Sequence, residues 1–370
     1  MSVSLTNLVR LLCASAAIML AAAALTFAID PLQLFRPTRL VQPMYSNDVR
    51  VQNAGLIRTQ DFDTVLMGTS LAIHFRQSDI DAALGVRSLK LSMQGSNSHE
   101  QVFVLEHALS ERHPKRVIWE MDDWIFCDAP EIPSDIYLPS GLYRREPKAL
   151  AGYLFGGEMA RESILMVLRA VPWLAPAASR LAKFSVPDVD DINTLPRDAN
   201  VPALYNAKAA LAAFARITNK SRTKYLAEGY GYESEVRNFE RDAVGLITRH
   251  PEVTFDIYLP PYSILQWVAM RDAAPEALGI VYALTAHIAE RLVQLPNVRL
   301  FDFRALEAVT HNLDNYSDVI HHSPGVDLEI LSMLSRGEHV ADRSAPLASL
   351  QQLKQQVAAY RVEAPPATNK

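Results

Sequence analysis

The stretch Asp63-Thr-Val-Leu-Met-Gly-Thr-Ser-Leu-Ala72 decides how the chain is read. Residues 64–67 form a short apolar, β-branched run, which predicts a buried strand. Gly68-Thr69-Ser70 ends that run, and a helix-capable segment follows. Ser70 therefore stands at a strand-to-helix turn. Open α/β sheets build ligand sites at the C-terminal ends of their strands, and a helix N-terminus favours developing negative charge. The plainer job for a serine at this point is to cap the helix.

Outward from this stretch the same rhythm recurs. Residues 86–91, 115–121, 253–259 and 298–303 read as four further strands. Helical patterns lie between them: 96–110, with Val102, Leu105 and Leu109 on one face, and 276–292, with Val281, Leu284, Ile288 and Leu292 on one stripe. Ser323-Pro324 starts another helix as cap and first residue, with Asp327 in its first turn. Strands alternating with helices predict a parallel sheet covered on both faces, an α/β/α sandwich. Five strands suggest the flavodoxin-like order.

A second motif bears on function. Near the C-terminus the chain reads Asn315-Tyr-Ser-Asp-Val-Ile-His-His-Ser-Pro324, giving Asp318-x-x-His321. A serine nucleophile needs a base to take its proton, and the base needs a partner to fix its tautomer. One loop with this spacing supplies both groups. Gly68-x-Ser70 after the first strand and Asp318-x-x-His321 after the last resemble the arrangement of the SGNH hydrolase superfamily. The likeness is to its membrane-anchored branch of alginate O-acetyltransferase-like proteins, and it runs from about residue 64 to 334.

The resemblance implies a triad in which Ser70 attacks an acyl carbonyl, His321 takes its proton and Asp318 orients His321. It also implies oxyanion donors: the Ser70 backbone N–H, and a glycine after the second strand, which Gly95 matches. The family's third donor is an asparagine in a Gly-x-Asn-Asp setting after the third strand. This chain has Glu120-Met-Asp-Asp-Trp124 there, and Asn97 is a possible substitute, with a helix cap as its other role. Ionised Asp122 and Asp123 cannot donate to an oxyanion; they are candidates for sugar hydroxyls or for capping a loop. His74, one helical turn after Ser70, is within reach of the site or is a packing residue. Trp119, Trp124, Tyr137, Tyr143 and Tyr262 follow strand ends or lie in nearby loops, where aromatics stack on sugars or pack. Adjacent histidines point apart, so His322, a neighbouring surface residue, should turn towards the next helix. Without another cluster at ligand spacing, neither a metal nor a cofactor is expected.

Composition sets outer bounds. The chain has 370 residues and a formal charge of −5, which gives no reason to expect nucleic acid. Residues 11–29 are uninterruptedly apolar behind Arg10, nearly enough to cross a hydrocarbon core of about 30 Å. They read as a retained anchor or a signal peptide. The alanines at 21–24 favour cleavage; the length favours an anchor with residues 1–10 in the cytoplasm. Cys13 lies near the start of the segment, where lipidation does not occur. Cys127 alone follows the segment, so that part has no internal disulfide.

Residues 30–61 read as an extended connector and 62–340 as one α/β domain. A helical insertion at 131–250 interrupts it, with a Pro- and Asp-rich loop inside. An apolar face in this insertion reads as packing on the core, with a surface for the bilayer or a partner as the alternative. Residues 341–370 read as a polar helix and a disordered tail. The expectation is a bacterial, inner-membrane-anchored, periplasmic acyltransferase or esterase acting on a polysaccharide, with a membrane protein as acyl donor. The alternative is a non-catalytic glycan-binding or scaffolding subunit.

Overall fold

The computed structural model describes residues 5–46, 48–127, 138–185, 204–218 and 230–362. Two compact units divide the chain: 1–61 with 110–112 and 133–194, and 62–109 with 113–132 and 195–370.

The second unit is built on a five-stranded, wholly parallel sheet. Its strands are β1 (Thr64–Met67), β2 (Ser88–Lys90), β3 (Arg116–Glu120), β4 (Thr254–Leu259) and β5 (Val298–Asp302), in spatial order β2-β1-β3-β4-β5. All five lie within two residues of their expected limits. Val65 pairs with Leu89 on one side and with Val117 on the other. β1 is buried throughout, as both faces of a parallel sheet require.

Alternation along the strands sends Leu66, Ile118, Tyr258 and Phe301 to one face. There they pack with Ile80 of helix Gln77–Leu84 and with Val326, Ile330 and Leu334 of helix Pro324–Arg336. Trp119 points to the other face and donates its indole N–H to Gln101 of helix Ser98–Arg112 at 2.7 Å. The C-terminal helix Ala348–Ala359 is not a polar appendage. Leu353 and Val357 are buried in a cluster with Trp267, Val268 and Val281. The tail from 363, the Pro- and Asp-rich loop and Tyr137 lie outside the described residues.

The first unit corrects two expectations. Residues 30–61 are not an extended connector: Val49–Thr59 is a helix whose residues Gln52–Ile57 are buried. Asp48 caps it, accepting from the Arg50 N–H. Gly55 is required there, because a β-carbon would lie 1.7 Å from the Leu32 carbonyl oxygen. The insertion is mainly helical but is not one body. Helices Pro147–Phe155, Gly157–Arg169 and Ala175–Leu181 belong to the first unit, and Ala207–Ile217 and Tyr232–Phe239 to the second. In the first unit Tyr45–Ser46 pairs antiparallel with Phe184–Ser185.

Leu5–Ile29 is a single helix long and apolar enough to cross a membrane. It stops at Asp30, whose backbone turns left-handed (φ 52°) and whose buried carboxylate accepts from Leu34, Phe35 and Arg36 N–H groups and from the Tyr153 hydroxyl.

Candidate active site

Three sheet-edge segments of the second unit converge. The turn after β1 carries Ser70, at the start of the short 3₁₀ turn Leu71–His74. The turn is fixed by a residue the sequence did not single out. Lys90 of β2 is fully buried and its ammonium donates to the carbonyls of Ile73 at 2.6 Å and Phe75 at 2.9 Å. The loop after β5 is folded back on itself: Tyr316 and His322 form an antiparallel bridge, and the Ser317 N–H donates to His321 O at 3.0 Å. It is fastened to the end of β4 by the Tyr316 hydroxyl on Pro261 O at 2.7 Å and by Ser263 N–H on Val319 O at 3.1 Å.

This brings the three expected residues into one line. Ser70 Oγ lies 2.9 Å from His321 Nε2, and His321 Nδ1 lies 2.7 Å from Asp318 Oδ2. Asp318 Oδ1 accepts the N–H groups of Ile320 and His321, both at 2.8 Å, so its carboxylate is held on both oxygens. Burial pushes the Asp318 pKa up, but the hydrogen bond and charge of His321 outweigh it and the value lies below the usual one. Burial likewise opposes protonation of His321, and the Asp318 carboxylate reverses this, raising the ring above its ordinary value. Both shifts describe one ion pair favoured when His321 carries a proton. Asp318 fixes Nδ1 as the protonated nitrogen in the neutral ring, which leaves Nε2 free to accept from Ser70.

The two adjacent histidines diverge, as expected, but His322 is a core residue and not a surface one. It is almost fully buried, with Nδ1 3.3 Å from Asp327 Oδ1 and no hydrogen-bond alignment between them. Burial, then the charge of His74, lowers the His322 pKa to about 3. Burial raises Asp327 well above the carboxylate range. Both shifts favour the neutral forms of the pair. His74 is also a poor base: burial, then the charges of His321 and Lys90, lower it to about 4. Among the described residues it makes no hydrogen bond to Ser70 or His321. It lines a separate cavity of about 570 Å³ with Arg76, Tyr205 and Asp327.

Of the expected oxyanion groups, the Ser70 and Gly95 N–H groups have no protein partner among the described residues. Gly95 is left-handed (φ 60°), two residues past Met93, whose N–H donates to Gly68 O at 2.9 Å. Asn97 is committed elsewhere. It caps helix Ser98–Arg112, accepting from Glu100 N–H at 2.9 Å while Glu100 accepts from the Asn97 N–H at 3.3 Å.

The end of β3 and the residues after it form an acidic cluster beneath the Ser70 turn. Glu120 Oε2 accepts the Thr69 N–H at 2.8 Å and the Thr69 hydroxyl at 3.2 Å. Asp122 accepts from the Thr69 and Tyr262 hydroxyls, and Tyr262 also reaches Asp123 at 3.1 Å. Asp122 is thus buried and spoken for, and the Tyr262 hydroxyl is committed to these carboxylates while its side chain lines the cavity beside Trp124. Gly68 permits the close packing, since a β-carbon there would lie 2.6 Å from Glu120 Oε2.

Burial, then the charge of Asp122, raises Glu120 well above its ordinary value, which favours its protonated form. Burial also raises Asp122, against the pull of Thr69, Tyr262 and the His321 charge. Burial and the Asp122 charge bring Asp123 to about 7. Glu120 and Thr69 escaped the sequence reading; the available signal was an acidic residue closing an otherwise apolar strand.

Of the aromatics, Trp119 is core, and Tyr143 belongs to the first unit, where its hydroxyl donates to Arg50 O at 2.8 Å. Trp124 is half-buried and, with Asp123, Tyr230, Gln266 and Asp318, lines a cavity of about 380 Å³ on the Asp318 side of the triad. Among the described residues no three His, Cys, Asp or Glu side chains converge as a metal site. No protein-family model matches the chain, and no curated protein matches it.

Proposed function

We propose that the chain is a membrane-anchored serine acyltransferase or esterase of the SGNH type, acting on acetyl groups of an extracytoplasmic polysaccharide. The observation that carries this is the unbroken line Ser70–His321–Asp318, assembled from segments 251 residues apart in sequence. The strand order β2-β1-β3-β4-β5 supports the same class. The helix Leu5–Ile29 supports retention in a bacterial inner membrane with the sheet unit in the periplasm.

In this reading His321 Nε2 takes the Ser70 proton as Oγ attacks the acyl carbonyl, and the Ser70 and Gly95 N–H groups hold the oxyanion. The imidazolium is stabilised by Asp318 and by the nearby charge of Asp122. Collapse of the tetrahedral intermediate expels the alcohol, which receives that proton from His321, and leaves Ser70 acylated. A sugar hydroxyl or water then gives its proton to His321 and takes the acyl group, and His321 returns that proton to the departing Ser70 Oγ. In transfer, a membrane protein supplies the acyl group. The cavity beside Trp124 and Asp123 suits a sugar, with a ring to stack on and hydroxyl partners at its rim.

A second reading, a non-catalytic glycan-binding subunit, draws on Glu120 and Asp122 standing where the family has an asparagine donor. Fluorophosphonate labelling of the full chain separates the two. Wild type and His322→Ala should label at Ser70, and Ser70→Ala and His321→Ala should not. No labelling of a folded wild type would favour the binding subunit.

A further inference from the structure

The first unit leaves a set of large apolar side chains in the open. Phe155, Ile164, Val167, Trp173 and Leu181 are all exposed, Trp173 at 78%. They fall within one run of helices. Helix Gly157–Arg169 is two-faced: Glu162, Ser163, Leu165 and Met166 are buried, while Ile164 and Val167 face outward. An exposed apolar set of this kind marks a surface that meets something apolar.

The same helices hold the end of the membrane-crossing helix. Pro147–Phe155 and Gly157–Arg169 both pack on Leu5–Ile29. Only the last turns of that helix are covered, with Ala23, Thr26 and Ile29 buried and residues 5–21 exposed. Its 25 residues make about 37 Å, against a hydrocarbon core of about 30 Å. A span beginning at Leu5 therefore leaves the core about five residues before Ile29, at the level where the two helices attach. Between 147 and 185 the chain carries five basic residues (Lys148, Arg161, Arg169, Arg180, Lys183) against two acidic ones (Glu158, Glu162). Amphipathic helices, an exposed tryptophan and excess positive charge are what an anionic lipid interface attracts.

We infer that the Phe155–Leu181 face of the first unit is seated in the headgroup layer of the same bilayer that Leu5–Ile29 crosses, so that the protein meets the membrane by a surface as well as by a span. This rests on the membrane-crossing reading of Leu5–Ile29 and is independent of catalysis.

The test uses the full chain reconstituted in phospholipid vesicles. Lipids brominated high on the acyl chain should quench part of the tryptophan fluorescence, and Trp173→Phe should remove that part, because Trp119 and Trp267 are core residues and Trp124 is half-buried in the sheet unit. Quenching that is absent, or unchanged by Trp173→Phe, would overturn the inference. Nitroxide labels at Ile164→Cys and Val167→Cys, in a background lacking the native cysteines, provide a second measurement. They should be open to oxygen and closed to a water-soluble nickel chelate. A label at Asp61→Cys in that background is the aqueous control, and one on Cys13, kept as the single cysteine, reports the span itself. Labels at 164 and 167 as open to nickel as Asp61→Cys, with Cys13 in lipid, would remove the surface and keep the span. Labels shielded from both reagents would mean a protein covers the face, and would also overturn the proposal.

Discussion

The two units solve opposite problems. The sheet unit buries ionisable groups: Lys90, Glu120, Asp122, Asp256, His322 and Asp327 are all enclosed. The first unit encloses fewer, Asp30 and Glu162 among them, and exposes a run of apolar side chains from Phe155 to Leu181. Enclosed charge is costly unless it is paired or neutralised, and it is kept where a site needs tuned acids and bases. Exposed apolar area is unfavourable in water and favourable in lipid. On the proposed reading, chemistry is concentrated in one unit and attachment in the other.

The sharpest way to break this division is to remove the triad. Ser70→Ala or His321→Ala should lower hydrolysis of a chromogenic acetyl ester by about 10⁴-fold or more, while Trp173→Phe should leave it unchanged. A comparable loss in Trp173→Phe would show that the units do not divide the work. Asp318→Asn should cost about 10⁴-fold as well, with a signature that simple misfolding does not give. His321 must be neutral to act, and Asp318 raises its pKa. The acid limb of the wild-type pH–rate profile should therefore lie above the ordinary imidazole value of about 6.5. Without the carboxylate, burial dominates and the limb should move to lower pH. A limb that stays in place would mean another group titrates.

A third test probes the first unit. Gly55→Ala forces a β-carbon against the Leu32 carbonyl and should cost about 3 kcal/mol. Limited proteolysis on heating should then cut 30–61 at lower temperature, with the acetyl-ester rate per folded molecule unchanged.

The smallest effect concerns Glu120. Its pKa is raised on folding, so its contribution is complete below the unfolded value and is lost as pH rises towards the folded one. Glu120→Gln mimics the protonated acid. The melting temperature of the wild type should fall more between pH 5 and 8 than that of Glu120→Gln. Parallel curves would mean that Glu120 is ionised.

What was legible in the sequence was what repeats locally. Thr64–Met67 and its fellow strands stood out by apolar runs, and Asp318-x-x-His321 by its spacing. What was not legible depended on partners far along the chain. Glu120 closes a strand and looks like a surface acid, until Thr69, 51 residues earlier, is found donating to it. Residues 30–61 look like a linker because they carry prolines and polar residues. Yet Gln52 is buried, bonding Leu32 O at 3.2 Å and the Ser46 N–H at 2.9 Å. Asp30 meets Tyr153, 123 residues away. Local polarity cannot distinguish a solvated residue from one satisfied by a distant partner.

The knot at Asp30 has a mechanical consequence. A membrane helix that continues into a loose chain acts as a leash, and its cargo can swivel. Here the last helical residue runs straight into a carboxylate gripped by three amides and a phenol. The first unit must turn when the helix turns and lean when it leans. Sliding the helix by one residue along its axis would pull Asp30 out of that grip, so in a bilayer hydrogen bonds as well as hydrophobic matching would fix its depth.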